Sequence, residues 1–96
     1  MTCQPKVSVI LAVYNGEEFL DECIKSIRSQ TFSGFEFIIV DDASTDNTKY
    51  ILNRHAVDDD RIIIFTNERN RERSFSRNVA IQAARSDLIA VIDADD

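Results

Sequence analysis

The sequence predicts an α/β fold of Rossmann-like order, β-α-β-α-β-α-β, with a mostly parallel sheet and helices on both of its faces. Three observations predict it. Four short apolar runs are continuous rather than alternating, the pattern of strands buried on both faces. The stretches between them carry apolar residues at helical spacing. Polar segments rich in turn and capping residues close three of the runs and the chain itself. Strands alternating with amphipathic helices favour parallel pairing, with right-handed crossovers.

The first run is Val7–Val13 (VSVILAV), broken by Tyr14, Asn15 and Gly16. Glu17 and Glu18 then open a helix, their carboxylates suited to its positive end. Phe19, Leu20, Cys23, Ile24 and Ile27 fall on one face, and the helix is expected to end near Gln30, before the Ser33-Gly34 turn. The second strand is Phe35–Val40 (FEFIIV), running into Asp41-Asp42-Ala43-Ser44-Thr45-Asp46. A second helix is expected from about Asn47 to Arg54, with Tyr50 and Ile51 inward, then a solvated acidic turn at Asp58-Asp59-Asp60. Arg61–Phe65 is the third strand. A polar loop with Arg69, Arg71 and Arg73 leads to a third helix over about Ser74–Arg85, where Phe75, Val79 and Ala83 repeat every four residues and Ala80 and Ala84 widen the stripe. Leu88–Ile92 is the fourth strand, followed by Asp93-Ala94-Asp95-Asp96.

The 96 residues suffice for one small domain, taken as residues 1–96. Eleven Lys and Arg stand against 17 Asp and Glu, a net charge of −6, which argues against general nucleic-acid binding. Cys3 and Cys23 have no metal-ligand spacing and read as free thiols of a reducing compartment. His55 reads as a surface residue without a ligand partner. Met1–Lys6 precedes too short an apolar run for a secretory leader, and no stretch reaches the ~18 apolar residues of a membrane span. A cytoplasmic location is therefore expected.

Ligands of open α/β sheets bind beyond the carboxyl ends of the strands. That rule gathers Tyr14-Asn15, Asp41-Asp42, Asn67 and Asp93–Asp96 at one sheet edge. Three carboxylates in the four positions after the last strand repel one another, and a divalent cation is the usual relief. Oxygen donors suit Mg²⁺ or Mn²⁺, which also take phosphate oxygens and so neutralise a departing diphosphate. A carboxylate of the Asp41-Asp42 pair accepts from the ring N–H of a pyrimidine or guanine base, or else Asp41 or Asp42 caps the second helix, a task that Ser44 or Thr45 also suits. Tyr14 offers a ring to a base, or packs at the strand end. Arg77 suits phosphates. Arg69, Arg71 and Arg73 do so too, although a charged surface loop explains them as well. There is no G-x-G-x-x-G and no G-x-x-x-x-G-K-[ST], which excludes the usual dinucleotide and P-loop folds. No Ser-His-Asp or Cys-His set assembles around the one histidine.

In sum these residues resemble the family 2 glycosyltransferases of GT-A fold. Four stretches carry the resemblance: Val7–Ile10 to Tyr14-Asn15; Ser29–Phe32 with Phe35-Glu36; Ile39-Val40-Asp41-Asp42-Ala43-Ser44-Thr45-Asp46; and Ile92-Asp93-Ala94-Asp95-Asp96. Arg77-Asn78 resembles that family's Arg-Asn pair. The resemblance implies the N-terminal, donor-binding part of an inverting, metal-dependent hexosyltransferase-type enzyme, which moves a sugar from a nucleotide-diphosphate donor to an acceptor hydroxyl in polysaccharide or glycoconjugate synthesis. Tyr14 and Asp42 would hold the base, completed by the backbone near Ala12 and Val13. Arg77 would lie near the diphosphate. Asp95 and Asp96 would be nearest the metal (Mn²⁺ or Mg²⁺) and the donor sugar, with Asp93 supporting. A UDP-sugar is the favoured donor, a sugar or glycolipid the acceptor, and the general base is expected beyond Asp96, leaving this chain inactive alone. The longer protein would work in the cytoplasm or at the inner face of the membrane. The loop Asn67–Phe75 departs from the family, which often has a glycine there. An unpaired fourth strand is expected to favour self-association. The alternatives are a nucleotidyltransferase, which wants a glycine-rich loop where Tyr14-Asn15-Gly16-Glu17 stands, and a catalytically silent nucleotide-binding module. A signalling receiver domain fails because its acidic residues follow the first and third strands.

Overall fold

The computed structural model describes residues 5–30, 34–71 and 73–92. The elements in chain order are β1 (Val7–Val13), α1 (Leu20–Arg28), β2 (Phe35–Asp41), α2 (Thr48–Asp58), β3 (Ile62–Thr66), α3 (Arg73–Ala83) and β4 (Ile89–Ile92). The strands form one sheet in the order β3-β2-β1-β4, and every pairing is parallel. The predicted element order is therefore present, and the sheet is parallel throughout. No helix among the described residues is long and apolar enough to cross a membrane.

The two faces of the sheet carry separate cores, set by the two-residue period of the strands. Leu11, Val13, Phe35, Phe37 and Ile39 face α1 and α2, where they meet Leu20, Ile24 and Leu52. Ile10, Ile38 and Val40 face α3, where they meet Ala80, with Val79 and Ala83 alongside. All seven residues of β2 are buried, which explains why its run is apolar apart from Glu36 and Asp41, both of which are hydrogen-bonded. Full burial of a side chain such as Phe37 contributes about 2–3 kcal/mol.

Several local expectations give way to tertiary packing. The first helix begins at Leu20 rather than at Glu17, because residues 17–19 form a turn. The second helix runs to Asp58, and its buried residues are Thr48, Leu52 and His55, while Tyr50 is 64 % exposed. A short helix with two competing apolar stripes rotates to whichever one meets the sheet. In α3 the buried positions are Ser76 and Ala80, whereas Phe75 is 40 % exposed. Small residues there let the helix lie close against β1 and β2, and the Phe75 ring instead sits under the Arg71 guanidinium, 4.5 Å away.

His55 is buried rather than at the surface, and it ties α2 to α1. Arg28 donates to its Nδ1 at 2.8 Å, and the opposite ring nitrogen lies 2.7 Å from Asp21 Oδ1. A guanidinium only donates, so Nδ1 accepts and Nε2–H donates to Asp21. Asp59, expected in a solvated turn, is a clamp. Its carboxylate receives Arg61 Nε and Nη2 and lies 3.3 Å from Arg28 Nε. Cys23 is a half-buried free thiol packed beside the α1 core, and burial pushes its pKa up. Cys3 lies outside the described residues.

Candidate functional site

The sheet order reverses at β1. The chain moves from β1 outward to β2 and β3, with α1 and α2 on one face. It then returns through α3 on the other face to place β4 on β1's free side. The crevice at the carboxyl end of β1 and β4 is the topological switch point of the fold, the place where such sheets take ligands.

At that edge the register aligns Val13 with Asp41, and Asp41 with Thr66. Pairing continues one step further, as Asp42 N–H donates to the Val13 carbonyl at 2.8 Å and Asn67 N–H to the Asp41 carbonyl at 2.9 Å. Tyr14, Asp42 and Asn67 thus stand in one row across the ends of three strands. The Tyr14 ring is 50 % exposed while Asp42 is 5 % exposed.

The loops after β1 and β2 are fastened to each other. Asn15 N–H donates to Ser44 Oγ, Gly16 N–H to Thr48 Oγ1 and Glu17 N–H to Asp46 Oδ2. In return Thr45 N–H and Asn47 Nδ2 donate to the side chains of Asn15 and Glu17. Gly16 is required for the close approach, since a Cβ there would lie 2.7 Å from Val13 Cγ2. The acidic loop motif is therefore largely structural. Asp46 Oδ1 takes the Thr48 N–H at the start of α2, so the helix uses neither Asp42 nor Ser44 nor Thr45 as its cap. Asp41 is fully buried, and its Oδ1 accepts from Ser44 N–H, fixing the turn that carries Asp42.

This fastening also decides between chemistries. The three successive N–H groups after β1 already have side-chain acceptors, so they form no phosphate cradle of the P-loop or nucleotidyltransferase kind. What remains directed at the edge is the Asp42 carboxylate. Its Oδ1 accepts from Asn67 Nδ2 at 2.8 Å and Arg71 N–H at 2.7 Å, and its Oδ2 from Asn70 Nδ2 at 3.1 Å. Asn67 Nδ2 also contacts Ser76 Oγ at 2.9 Å, which brings the start of α3 over the same edge. Arg77 follows on α3 and is half-buried. Ala12 is half-buried and Val13 buried, leaving backbone as their contribution to an edge site.

Of the residues singled out from sequence, the fold brings Ala12, Val13, Tyr14 and Asp42 together, with Arg77 on the helix that covers Asp42's partners. Asp93, Asp95 and Asp96 lie outside the described residues. β4 runs parallel to β1 up to the pair Leu11–Ile92, so its carboxyl end is at the same edge as that of β1. Among the described residues no three His, Cys, Asp or Glu side chains group as a metal site. The sheet-edge rule placed Asn67 beside Asp41-Asp42, but that Asn67 and Asn70 hydrogen-bond Asp42 was not legible from sequence.

Chemically, the edge offers a shielded carboxylate acceptor and an exposed aromatic face. The model of the family described as glycosyl transferase family 2 matches residues 8–96. The uncharacterized glycosyltransferase MJ1057 of Methanocaldococcus jannaschii is 45 % identical over 95 residues, covering 97 % of this chain and 33 % of that protein. A mannosyltransferase, PcManGT from Pyrobaculum calidifontis, solved in complex with GDP-Man and Mn²⁺, superposes with a TM-score of 0.88 at 28 % identity over 98 % of this chain and 28 % of that one. S. aureus TarS 1-349 in complex with UDP-GlcNAc superposes at 0.84 with 32 % identity, covering 94 % of this chain and 26 % of that one. The chain spans about a third of the length of the curated relatives it matches.

Proposed function

The chain belongs to glycosyl transferase family 2, and on that premise we propose that it is the donor-binding part of an enzyme that transfers a sugar from a nucleotide diphosphate to an acceptor hydroxyl. The observation that carries this reading is the Asp42 carboxylate, shielded from water yet at the switch-point edge beside the exposed Tyr14 ring. Uracil, thymine and guanine present a ring N–H next to a carbonyl, which a carboxylate accepts. Cytosine and adenine present a bare acceptor nitrogen there and are repelled. Tyr14 supplies a stacking face, and the backbone of Ala12 and Val13 completes the base pocket. Arg77, on α3, would lie near the diphosphate.

Asp95 and Asp96, supported by Asp93, would hold Mn²⁺ or Mg²⁺, because their oxygens suit a hard cation. When bound, the metal would stabilise the negative charge of the departing diphosphate. The acceptor hydroxyl would attack from the opposite side and invert the anomeric centre, deprotonated by a carboxylate beyond Asp96. The 96-residue chain is then a nucleotide-binding unit without transferase activity of its own. In a longer protein the activity belongs to polysaccharide or glycoconjugate synthesis at the cytoplasmic side of a membrane, with a UDP-sugar favoured as donor. A second copy of the chain is the proposed partner along the outer edge of β4.

A thermal-shift panel of UDP, GDP, dTDP, CDP and ADP, each with and without Mn²⁺, tests the reading. Ligand at 100 times its Kd adds about 2.7 kcal/mol of stability. The expected result is a rise with UDP, GDP or dTDP that needs Mn²⁺ and is lost in Asp95→Ala/Asp96→Ala, with none for CDP or ADP. A folded chain that responds to none of the five would overturn the proposal.

A further inference from the structure

The two oxygens of the Asp42 carboxylate are held very differently. Oδ1 receives two short hydrogen bonds, from Asn67 Nδ2 at 2.8 Å and from Arg71 N–H at 2.7 Å. Asn67 is itself held at Ser76 Oγ, and Ser76 is fully buried on α3. Oδ2 receives one longer bond, from Asn70 Nδ2 at 3.1 Å, and the same NH2 group reaches the Asp42 carbonyl at 3.3 Å. Asn70 is exposed, whereas Asn67 is half-buried. A longer hydrogen bond from an exposed side chain is the one most easily exchanged for another donor.

We propose that Asn67 is a positioning residue that locks Asp42 through Oδ1, and that Asn70 is a displaceable stand-in that occupies Oδ2 until the ring N–H of a uracil or guanine base replaces it. This rests on the reading of Asp42 as the base contact. The carboxylate then never faces the site unsatisfied, which a shielded anion requires. Base binding exchanges one N–H donor for another, so only a base with a ring N–H can replace Asn70, in the geometry that Asn67 fixes. Removing Asn67 lets the carboxylate rotate and weakens the contact, while removing Asn70 takes away a competitor. The two substitutions therefore act on affinity with opposite signs, which two merely structural asparagines would not do.

The experiment is calorimetric titration of the 96-residue chain with UDP, GDP and CDP in the presence of Mn²⁺, for the wild type, Asp42→Asn, Asn67→Ala, Asn67→Ser and Asn70→Ala. Folding is checked by circular dichroism, and the Asn side-chain amides are followed by ¹⁵N NMR. Asn67→Ala is expected to lose about tenfold in affinity for UDP or GDP and to narrow the preference over CDP, with Asn67→Ser, which keeps a donor, recovering part of the loss. Asn70→Ala is expected to gain about threefold, and nucleotide is expected to shift the Asn70 amide resonances more than those of Asn67. Binding that depends on Asp42 but is unchanged, or weakened alike, by both asparagine variants would overturn this inference and leave the base contact standing. Binding indifferent to Asp42→Asn, or no binding by the wild type, would overturn the underlying reading and this inference with it.

Discussion

The hydroxyl of Ser8 donates to Glu36 Oε2 at 2.6 Å, and the two residues are buried side by side on β1 and β2 at the end of the sheet opposite the candidate site. Glu36 also accepts from Arg85 N–H at 2.7 Å and Arg85 Nε at 3.0 Å, while Ser86 N–H donates to Ser8 Oγ. This cluster holds the turn that returns α3 to β4. Burial pushes the Glu36 pKa up, but the Arg85 and Ser8 hydrogen bonds together outweigh it and hold it below the usual range. Glu36→Gln turns an acceptor into an amide that faces fixed donors. It is expected to cost about 2 kcal/mol in urea unfolding, and a double-mutant cycle with Ser8→Ala should show coupling.

Ala43 carries φ +61°, between Asp42 and Ser44. A left-handed conformation strains a residue with a Cβ by about 1 kcal/mol. Ala43→Gly removes the strain at some cost in unfolded-chain entropy. A small rise in melting temperature is expected, without loss of nucleotide affinity.

Thr48 Oγ1 accepts the N–H of Gly16, and both residues are buried. Thr48→Val keeps the shape and leaves that N–H without its partner, so a loss of about 1–2 kcal/mol is expected. Hydrogen exchange should quicken at Gly16 more than in the β2 core.

The acid side of the stability profile should report Asp59. Hydrogen bonds from the Arg61 side chain, against partial burial, hold its carboxyl down to about 2, from 3.8. A depressed pKa stabilises the folded chain above the unfolded value, and the gain disappears as pH falls through the folded one. Asp59→Asn is therefore expected to cost on the order of 2 kcal/mol at pH 7, and the difference from wild type should shrink between about pH 5 and pH 2. A constant difference across that range would contradict the assignment.

β4 pairs with β1 on one side, and Leu88, Ile89 and Val91 are 64, 40 and 49 % exposed. An apolar edge strand of this kind templates pairing with another chain. Light scattering should show association that rises with concentration and is suppressed in Val91→Lys. A monomer at every concentration would remove the second copy from the proposal.

The sequence by itself determined the order of elements, the parallel sheet and the edge where Tyr14 and Asp42 meet. Those features depend on local signals: the mostly apolar, non-alternating runs VSVILAV and FEFIIV, helical spacing between them, and polar segments at their carboxyl ends. The inward faces of α1 (Leu20, Cys23, Ile24, Ile27) and of α3 (Val79, Ala80, Ala83) were legible too, but only the tertiary structure decided how α2 is turned and that Phe75 lies outside. In α2 Leu52 and His55 are buried and Ile51 packs beside them as expected, while Tyr50, also expected inward, is exposed; in α3 Ser76 joins the expected Ala80 inside, while Phe75 is exposed. Only the tertiary structure separated the roles within the acidic loop. Asp46, Ser44 and Thr48 fasten the two loops together, and Asp42 is held by Asn67 and Asn70, 25 and 28 residues away. Hydrogen bonds across that separation leave no period in the chain, since their partners become neighbours only once the sheet has set the register.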